Sequence, residues 1–364
     1  HRERDGVGSF AMPDELADRG LAAMWSAIRD FFTEKGKKRL SEIVATLSEA
    51  PIGLAAGVMP VLVFAGYKAF GRAVTIRSDG NYLRDVLGFT STIMFNAPEQ
   101  QEVEVHASTG SVLRYLEDFS YVFTYERPGL FDERVSHAAM SFEKWLATVA
   151  DGARRSKRMP ATARNLLRAA ATAEDPAELI LETLPLMLGG DFADPAQRFA
   201  ETIRQLEAAR NAIDGLIEGY LREAVEVVEE ILHLEGSTKS TIEGVQEWAR
   251  CFDIESLSRR RDLKSTDLTI LRTAWDSMNG RYSDEGLARV YSSVLLQRNI
   301  DKWQDDTKEI LRKELREARE RIESAALDVE SPGAGLVPII EARIRGLQRK
   351  LERVAGAARQ GGRK

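Results

Sequence analysis

One segment of the sequence, Gly236–Thr241 (GSTKST), carries the Lys-Ser end of a phosphate-binding loop. In such a loop, glycines let successive backbone amides curl around the phosphates, and a strand leads into the loop. Here the Gly-x-x-x-x-Gly-Lys spacing is missing, and the preceding residues Val227–Leu232 follow a helical pattern. We therefore interpret the segment as a glycine helix stop followed by the Ser/Thr cap of the next helix. This interpretation predicts that the chain does not hydrolyse nucleotide by itself.

Metal ligands and nucleophiles are few and dispersed. The four histidines are His1, His106, His137 and His233. No His-Glu-x-x-His motif and no cysteine pair exists, so the usual zinc spacings are missing. The single cysteine, Cys251, is interpreted as a buried structural thiol. We expect no metal, no cofactor and no catalytic residue, hence no enzyme, and keep an enzyme with an unrecognised site as a third hypothesis.

Arginine and lysine clusters are the remaining candidates, because such side chains bind phosphates in a salt-dependent, sequence-independent way. The candidate nucleic-acid-binding residues are Lys68, Arg72, Arg77, Arg154, Arg155, Lys157, Arg158, Arg345, Arg349, Lys350 and Arg353. The alternative interpretation of the basic runs among them is a solvated helix face.

The composition limits the class of protein. A chain of 364 residues predicts two or three domains. Its 43% hydrophobic and 30% charged residues are typical of a folded protein, and a net charge of −6 excludes a chain coated in basic residues. One cysteine fits a reducing compartment. Since the longest apolar run is too short to span a bilayer, we expect a cytoplasmic protein without a membrane segment.

The basic candidates Lys68, Arg72 and Arg77 belong to a small predicted domain that contains both helices and strands. Residues 1–20 are interpreted as a linker or tag remnant. Three helical patterns follow: Leu21–Phe32, Leu40–Leu47 and Val58–Phe70. Asp79-Gly80 between β-branched runs then predicts a hairpin. Further strands are expected at Ser91–Phe95 and Glu102–His106. Because three helices followed by a hairpin are typical of a winged helix-turn-helix, residues 21–107 are predicted to form a winged-helix-like domain.

The third helix of this domain is poorly suited to recognise bases. A recognition helix presents polar side chains to base edges, whereas Val58–Phe70 offers Lys68 and little else. A helix that is apolar on all sides is usually buried against other protein. We expect modest phosphate contacts from Arg72, Arg77 and Arg84 of the wing, of which Arg84 lies outside the residues that the structure describes, and no base recognition.

Residues 108–300 are predicted to form a multi-helix domain. Aromatic and aliphatic residues share one face around Phe119 and another around Phe142. Asp175-Pro176 predicts a helix start. A long helix over Ala196–Leu234 is expected to be broken or weakened at Gly215 and Gly219.

Residues 301–364 show the most regular pattern, two apolar seams with 4-3-4-3-4 spacing. The first seam consists of Leu311, Leu315, Ala318, Ile322, Ala325 and Val329. The second consists of Ile340, Ile344, Leu347, Leu351, Val354 and Ala358. The break at Ser331–Gly335 separates them. Two seams of matched length around a Pro/Gly turn predict a coiled-coil-like antiparallel helical hairpin.

Several phrases together resemble a family. Ala50–Leu54 (APIGL) followed by Gly57–Leu62 (GVMPVL) is similar to a Pro-Tyr-Gly-Leu, Gly-x-x-Pro-Val-Leu phrase of large bacterial P-loop ATPases in anti-phage defence, the BREX-type ATPases and their relatives. The further similar phrases are Arg77–Tyr82, Met159–Ala163, Asp175–Ile180, Leu184-Pro185 and Lys302–Asp305. They touch most of residues 21–330. Ile52 departs from the pattern, since an aromatic residue is usual there, and the C-terminal seams match nothing in the family.

The resemblance implies that the ATP-binding core lies outside this chain. The chain would be a non-catalytic scaffolding or regulatory region that couples this core to other proteins of a defence complex and, as an open alternative, to DNA without sequence preference. No catalytic residue is carried over. The competing hypothesis is a winged-helix DNA-binding regulator that forms homo-oligomers through its C-terminal hairpin.

Overall fold

The computed structural model describes residues 2–4, 7–83, 94–106, 109–129, 132–234, 239–328 and 334–361. Helices account for 70% and strands for 5%, which confirms a mainly helical protein. The chain forms two compact units. Unit 1 comprises His1–Val149 and Pro160–Ala212, and unit 2 comprises Ala150–Met159 and Ile213–Lys364. Within the described ranges, no helix is both long enough and apolar enough to cross a bilayer.

The first part of unit 1 alternates helices with short strands. Its elements are β1 (Arg2–Arg4), β2 (Val7–Ser9), α1 (Arg19–Thr33), β3 (Gly36–Arg39), α2 (Leu40–Ser48), α3 (Met59–Phe70), β4 (Val74–Ser78), β5 (Asn81–Tyr82) and β6 (Gln101–Val105). The strands β1 and β2 form an antiparallel pair. The others form an antiparallel sheet in the order β3-β6-β4-β5. The three predicted helices and the predicted final strand are confirmed as α1, α2, α3 and β6.

The helix α1 begins and packs as its sequence pattern indicates. Asp18 caps its first turn by accepting a hydrogen bond from the Leu21 amide at 2.9 Å. Trp25, Ile28 and Phe32 recur at three- and four-residue spacing and are buried in the core of this part of unit 1. The apolar stripe therefore fixes which face of α1 packs against α3.

The hairpin predicted from Asp79-Gly80 is confirmed. Ser78 pairs with Asn81 across a two-residue loop. Asp79 and Gly80 have φ values of 50° and 80°, the left-handed conformation that a type I′ turn requires at both loop positions. Asp and Gly tolerate this conformation better than most residues.

Strand β3 was not expected from the sequence, and the strand expected at Ser91–Phe95 lies mostly outside the described residues. The sequence of β3, Gly36–Arg39 (GKKR), lacks the β-branched residues that favour strands. The strand forms because β6 pairs with it at the edge of the sheet, where lysines discourage further pairing. The strand expected at Ser91–Phe95 falls mostly outside the described residues, and Met94 lies buried in the core.

The rest of the chain is helical in the described residues. Its helices are α4 (Gly110–Thr124), α5 (Arg134–Thr148), α6 (Asp151–Arg155), α7 (Ala161–Thr172), α8 (Pro176–Glu178), a π-helical turn (Leu179–Thr183), α9 (Leu184–Leu188), α10 (Pro195–Leu232), α11 (Thr241–Ala249), α12 (Ile254–Ser258), α13 (Ser265–Asp276), α14 (Asp284–Leu296), α15 (Thr307–Leu327) and α16 (Val337–Gly361). The predicted aromatic faces of α4 and α5 meet, with the rings of Phe119 and Phe142 5.8 Å apart. Asp175 caps α8 as expected, accepting from the Ala177 amide at 2.7 Å.

The long helix α10 is continuous over 38 residues, so the expected break at Gly215 and Gly219 does not occur. Each glycine costs a helix about 1 kcal/mol relative to alanine. Tyr220, Ala224 and Val227 follow immediately and are buried in the core of unit 2. Burial of this apolar stripe outweighs the glycine cost.

The two C-terminal helices are present, but the packing of one seam on the other is not confirmed. Leu311, Leu315 and Ile322 of α15 are fully buried in the core of unit 2, which α13 and α14 also line. On α16, Ile344 and Leu347 are exposed. The seam of α15 is therefore covered by the helices before it in the chain, and the seam of α16 is left uncovered from Ile344 onward in the side chains that are described.

Gly66→Ala should destabilise unit 1, because a Cβ there would overlap Cγ2 of buried Ile28 on α1. Such overpacking costs about 1–3 kcal/mol, more than the roughly 1 kcal/mol that alanine contributes in a helix. Urea unfolding measures the difference. Gly110→Ala is the matched control in the same unit, since its Cβ would meet no atom within 4 Å. Equal midpoints for the two variants would contradict the close approach of α3 to α1.

Candidate interaction surface

Arg77 is engaged inside unit 1, although its place in the hairpin had suggested a phosphate contact. Its side chain is 13% exposed and donates to Glu104 Oε2 at 2.6 Å and, through Nε, to Asp175 Oδ2 at 2.7 Å. Burial by itself lowers the pKa of Arg77, but the two carboxylates outweigh burial and raise that pKa above its ordinary value. Arg77 therefore ties the sheet to the start of α8.

Lys68 is engaged in a similar way. Its Nζ lies 3.4 Å from Oε1 of Glu133, the residue before α5. The hydroxyl of Tyr67 donates to the same carboxylate, and Ser136 Oγ donates to it at 3.2 Å. The C-terminal end of α3 is thus held against the start of α5 by a nearly buried carboxylate.

The hairpin and the start of β4 contact the same end of α5. The Arg134 amide donates to the Arg72 carbonyl at 3.0 Å, and Tyr82 Oη lies 3.2 Å from Ser136 Oγ. Burial raises the pKa of Tyr82. Of the three basic candidates in this part, Arg72 alone has an exposed side chain with no ion pair or hydrogen bond to the described residues.

In unit 2, Arg158 and Asp305 organise the segment between residues 150 and 159. Asp305 accepts from Ser156 Oγ at 2.7 Å, from the Lys157 amide at 2.9 Å and from Tyr220 Oη at 2.8 Å. Arg158 donates to Glu223 at 2.7 Å, and its guanidinium stacks 5.5 Å from the Tyr220 ring centre. Burial disfavours the charged form of Asp305, but these donors outweigh it and lower the pKa of Asp305.

The other members of this basic cluster differ from Arg158. Arg154 and Arg155 end α6 and are exposed, as is the side chain of Lys157. Positive side chains in the last turn of a helix interact favourably with its dipole. All four basic side chains of this cluster thus lie at the surface of unit 2, and Arg158 in addition binds Glu223 and packs on Tyr220.

The basic candidates on α16 lie on an exposed stretch of helix. Arg345 lies 3.7 Å from Glu341 one turn earlier, and Arg349 is exposed. The side chains of Lys350 and Arg353 lie outside the described part of the helix. Over its whole length α16 carries six basic and two acidic residues, a net charge of +4 in a chain whose total is −6.

The same helix exposes an apolar seam. Leu336 and Ile339 are buried in the core of unit 2 and anchor the start of α16. Beyond them, Ile344, Leu347 and Leu351 are 50%, 60% and 70% exposed. Regularly spaced exposed leucines and isoleucines on one helix face form a candidate interaction surface, because contact of their side chains with water is unfavourable. We call these three residues the α16 seam.

A groove of about 550 Å³ lies beside the α16 seam, between α16, α10 and α15. Its walls are mostly charged and already paired: Arg319 lies 2.6 Å from Glu323 and Arg316 lies 3.4 Å from Glu230. Such walls favour water and ions over an apolar occupant. Leu347 at the lip of the groove is the only large exposed apolar side chain among the groove's lining residues that the structure describes.

The other residues considered for chemistry have structural partners. Ser240 caps α11, where Glu243 accepts from the Ser240 amide at 3.1 Å and from its hydroxyl at 2.9 Å. This confirms the cap that was expected at the end of the Lys-Ser segment. Cys251 is half-buried and not fully buried as expected; its Sγ lies 3.5 Å from the Glu247 carbonyl, and its partial burial raises the pKa of the thiol. Among the described residues, no group of three His, Cys, Asp or Glu side chains has the arrangement of a metal site.

Comparison with protein-family models, with curated proteins and with solved structures gives no significant match. Any functional assignment therefore depends on the sequence and the geometry of the chain's own residues. The residues with structural roles that the sequence analysis missed are Glu133, Arg134 and Tyr220, since no local pattern distinguishes them. The α16 seam was found by its heptad spacing, but it was expected to be buried.

The ion pair between Arg77 and Asp175 predicts a measurable contribution to stability. Arg77→Gln removes the cation that Asp175 and Glu104 share, so it should cost about 2–4 kcal/mol in urea unfolding at pH 7, whereas Asp175→Asn leaves Arg77 paired with Glu104 and should cost about 1–3 kcal/mol. The double variant should cost less than the sum of the two. Lys37→Gln is the control, since its lysine is 60% exposed in the same sheet and should cost less than about 1 kcal/mol.

The pH dependence follows from Asp175. Burial raises its pKa, but Arg77 and the Ala177 amide outweigh burial, so the pKa is below its ordinary value. Its contribution is therefore fully present above about pH 4, the pKa in an unfolded chain. It is lost as the pH falls through the lower folded value. The stability difference between the protein and Asp175→Asn should be constant from pH 7 to 5 and shrink in more acidic solution. A difference that grows on acidification would contradict this assignment.

Proposed function

We propose that this chain is a non-catalytic interaction region of a large cytoplasmic P-loop ATPase of bacterial anti-phage defence, coupling an ATPase core outside the chain to protein partners. The observation that carries the proposal is the uncovered α16 seam on a helix anchored in unit 2. The resemblance of the APIGL and GVMPVL phrases to BREX-type ATPases supplies the defence context. An interaction role also accords with the structural partners of Ser240 and Cys251.

We further propose that residues 21–107 form a winged-helix-like domain whose role is to contact protein and not to read DNA. The chain order α1, β3, α2, α3, β4, β6 and the sheet order β3-β6-β4 support this assignment. In a DNA-reading winged helix, the third helix and the hairpin face the duplex. Here the C-terminal end of α3 and the hairpin contact Glu133, Ser136 and Asp175 of the same unit. These contacts favour a protein-binding role over base recognition.

DNA contact is retained as a weaker element of the proposal. Arg72, Arg154 and Arg155 are exposed, so phosphates can reach their guanidinium groups from solvent. Contacts of this kind carry no sequence information. The role we assign to DNA is therefore an auxiliary, salt-dependent contact.

Duplex binding over a salt series tests the competing DNA-binding regulator. We expect weak binding to random duplexes of different sequence with similar affinity, and an affinity that falls linearly with salt on logarithmic axes. Arg154→Gln with Arg155→Gln should weaken all duplexes equally. A duplex bound about a thousand-fold more tightly than random DNA would establish sequence-specific recognition and overturn the proposal.

A phage-plating assay tests the defence role in the intact parental gene. Leu347→Gln with Leu351→Gln should reduce protection against phage, because the partner surface is lost while the folded cores are untouched. Leu186→Gln, at a 73% exposed leucine of unit 1, is the matched control and should preserve protection. The coding sequence upstream of residue 1 should contain a Walker A motif. Full protection against phage by the seam variant, together with the absence of a Walker A motif upstream, would overturn the proposed function.

A further inference from the structure

The α16 seam has the geometry of one half of a coiled coil. The anchored start of α16 places Ile340 half-buried on the core of unit 2, and Val337–Gly361 extends about 37 Å at 1.5 Å per residue. The 4-3-4-3-4 spacing assigns Ile344 and Leu351 to a positions and Leu347 to a d position of a heptad repeat. In a coiled coil these positions are covered by a second helix, whereas here all three are at least half exposed.

The flanks of the seam define the charge of that second helix. In the same heptad assignment, the g positions are Arg343 and Lys350, and the e positions are Glu341 and Gln348. The e and g side chains of a coiled coil pair across the interface and select the partner. A partner helix that is acidic at its e and g positions gains ion pairs with Arg343 and Lys350, which outnumber its one like-charge contact, with Glu341. The other four basic residues of α16 occupy b, c and f positions, outside the interface of a two-stranded coiled coil.

A second copy of α16 fits less well. In an antiparallel pair, g faces g, so Arg343 and Lys350 would meet like charges. In a parallel pair, each g residue faces the e residue five positions later on the other helix, which pairs Arg343 with Gln348 and Lys350 with Ala355. Neither arrangement forms an ion pair at these positions. Charge complementarity therefore favours a different chain over a second copy.

Nucleic acid also fits less well. Phosphates would engage the arginines of α16 but would leave Leu347 and Leu351, which are 60% and 70% exposed, in contact with water. A partner that covers only the charges gives up the apolar burial that dominates most protein association. The seam and its flanks together match an amphipathic helix.

We propose that the α16 seam docks an amphipathic helix of a partner protein, apolar at a and d and acidic at e and g, as a two-stranded coiled coil. This inference rests on the proposed function as an interaction region and names the chemistry of its partner. The bound helix would continue the register of Ile344, Leu347 and Leu351.

Designed peptides test the proposal on the full chain. The first probe is a fluorescein-labelled four-heptad peptide with Ile at a, Leu at d and Glu at e and g. The second is identical except for Lys at e and g. We expect the fluorescence anisotropy of the Glu peptide to rise to saturation, with an affinity that is lower at high salt. The Lys peptide should bind at least about ten-fold more weakly. Equal affinity for both peptides, or binding of neither, would overturn the charge-complementary docking.

Variants of the chain identify the surface that binds. Leu347→Gln with Leu351→Gln should reduce Glu-peptide binding at least about ten-fold, and Leu186→Gln should leave it unchanged. Circular dichroism verifies that both variants keep their helix content. Full binding by the seam variant would overturn the proposal, as would equal losses in the two variants.

Two further measurements separate the other occupants. Sedimentation equilibrium should show a monomer; a dimer that the Leu347→Gln, Leu351→Gln variant abolishes would assign the seam to a second copy instead. Random duplex DNA should not displace the Glu peptide; displacement by the duplex would assign the seam to nucleic acid instead. Peptide binding without an effect in the plating assay would refute the proposed defence role and leave the docking surface intact, so the two failures are distinguishable.

Discussion

Two carboxylates, Glu133 and Asp175, connect the small mixed part of unit 1 to the helices that follow it. Asp175 is 98 residues from Arg77 along the chain and binds it while capping α8. Glu133 accepts from Tyr67 and Ser136 and lies 3.4 Å from the ammonium of Lys68. Because both carboxylates are largely buried, removing either would leave a neighbouring cation with less charge compensation inside the unit. The sheet, α3 and α5 therefore depend on each other.

The same principle operates in unit 2, where a carboxylate again accepts hydrogen bonds from several donors. Asp305 collects donors from Ser156, Lys157 and Tyr220, and Arg158 packs against the Tyr220 ring. A run of arginines and lysines that looks like a phosphate-binding loop thus has one member committed to holding the segment in place. Charge networks of this kind use residues that a sequence pattern alone would assign to solvent or to phosphate binding.

These networks decide where the protein can meet its partners. The winged-helix-like part has its hairpin and the end of α3 in contact with its own unit, which leaves Arg72 as an accessible cation there. On α16 the situation is reversed, since an apolar seam that should be buried is exposed beside a positive surface. An amphipathic helix with acidic flanks satisfies both properties at once, and a coiled coil is the geometry in which heptad spacing places both on one partner.

Local patterns in the sequence determined the helices α1 to α5, the Asp79-Gly80 hairpin, the Asp175 and Ser240 caps and the heptad spacing of α15 and α16. Each of these depends on side chains within a few residues of one another. Tertiary structure decided the rest. It formed β3 from an unfavourable sequence by pairing it with β6, and it kept α10 continuous through two glycines by burying the residues that follow. It also placed Arg77 beside Asp175, buried the α15 seam and left the α16 seam exposed. Those outcomes depend on contacts between residues far apart in the chain, because burial and charge pairing are properties of neighbours in space and not in sequence.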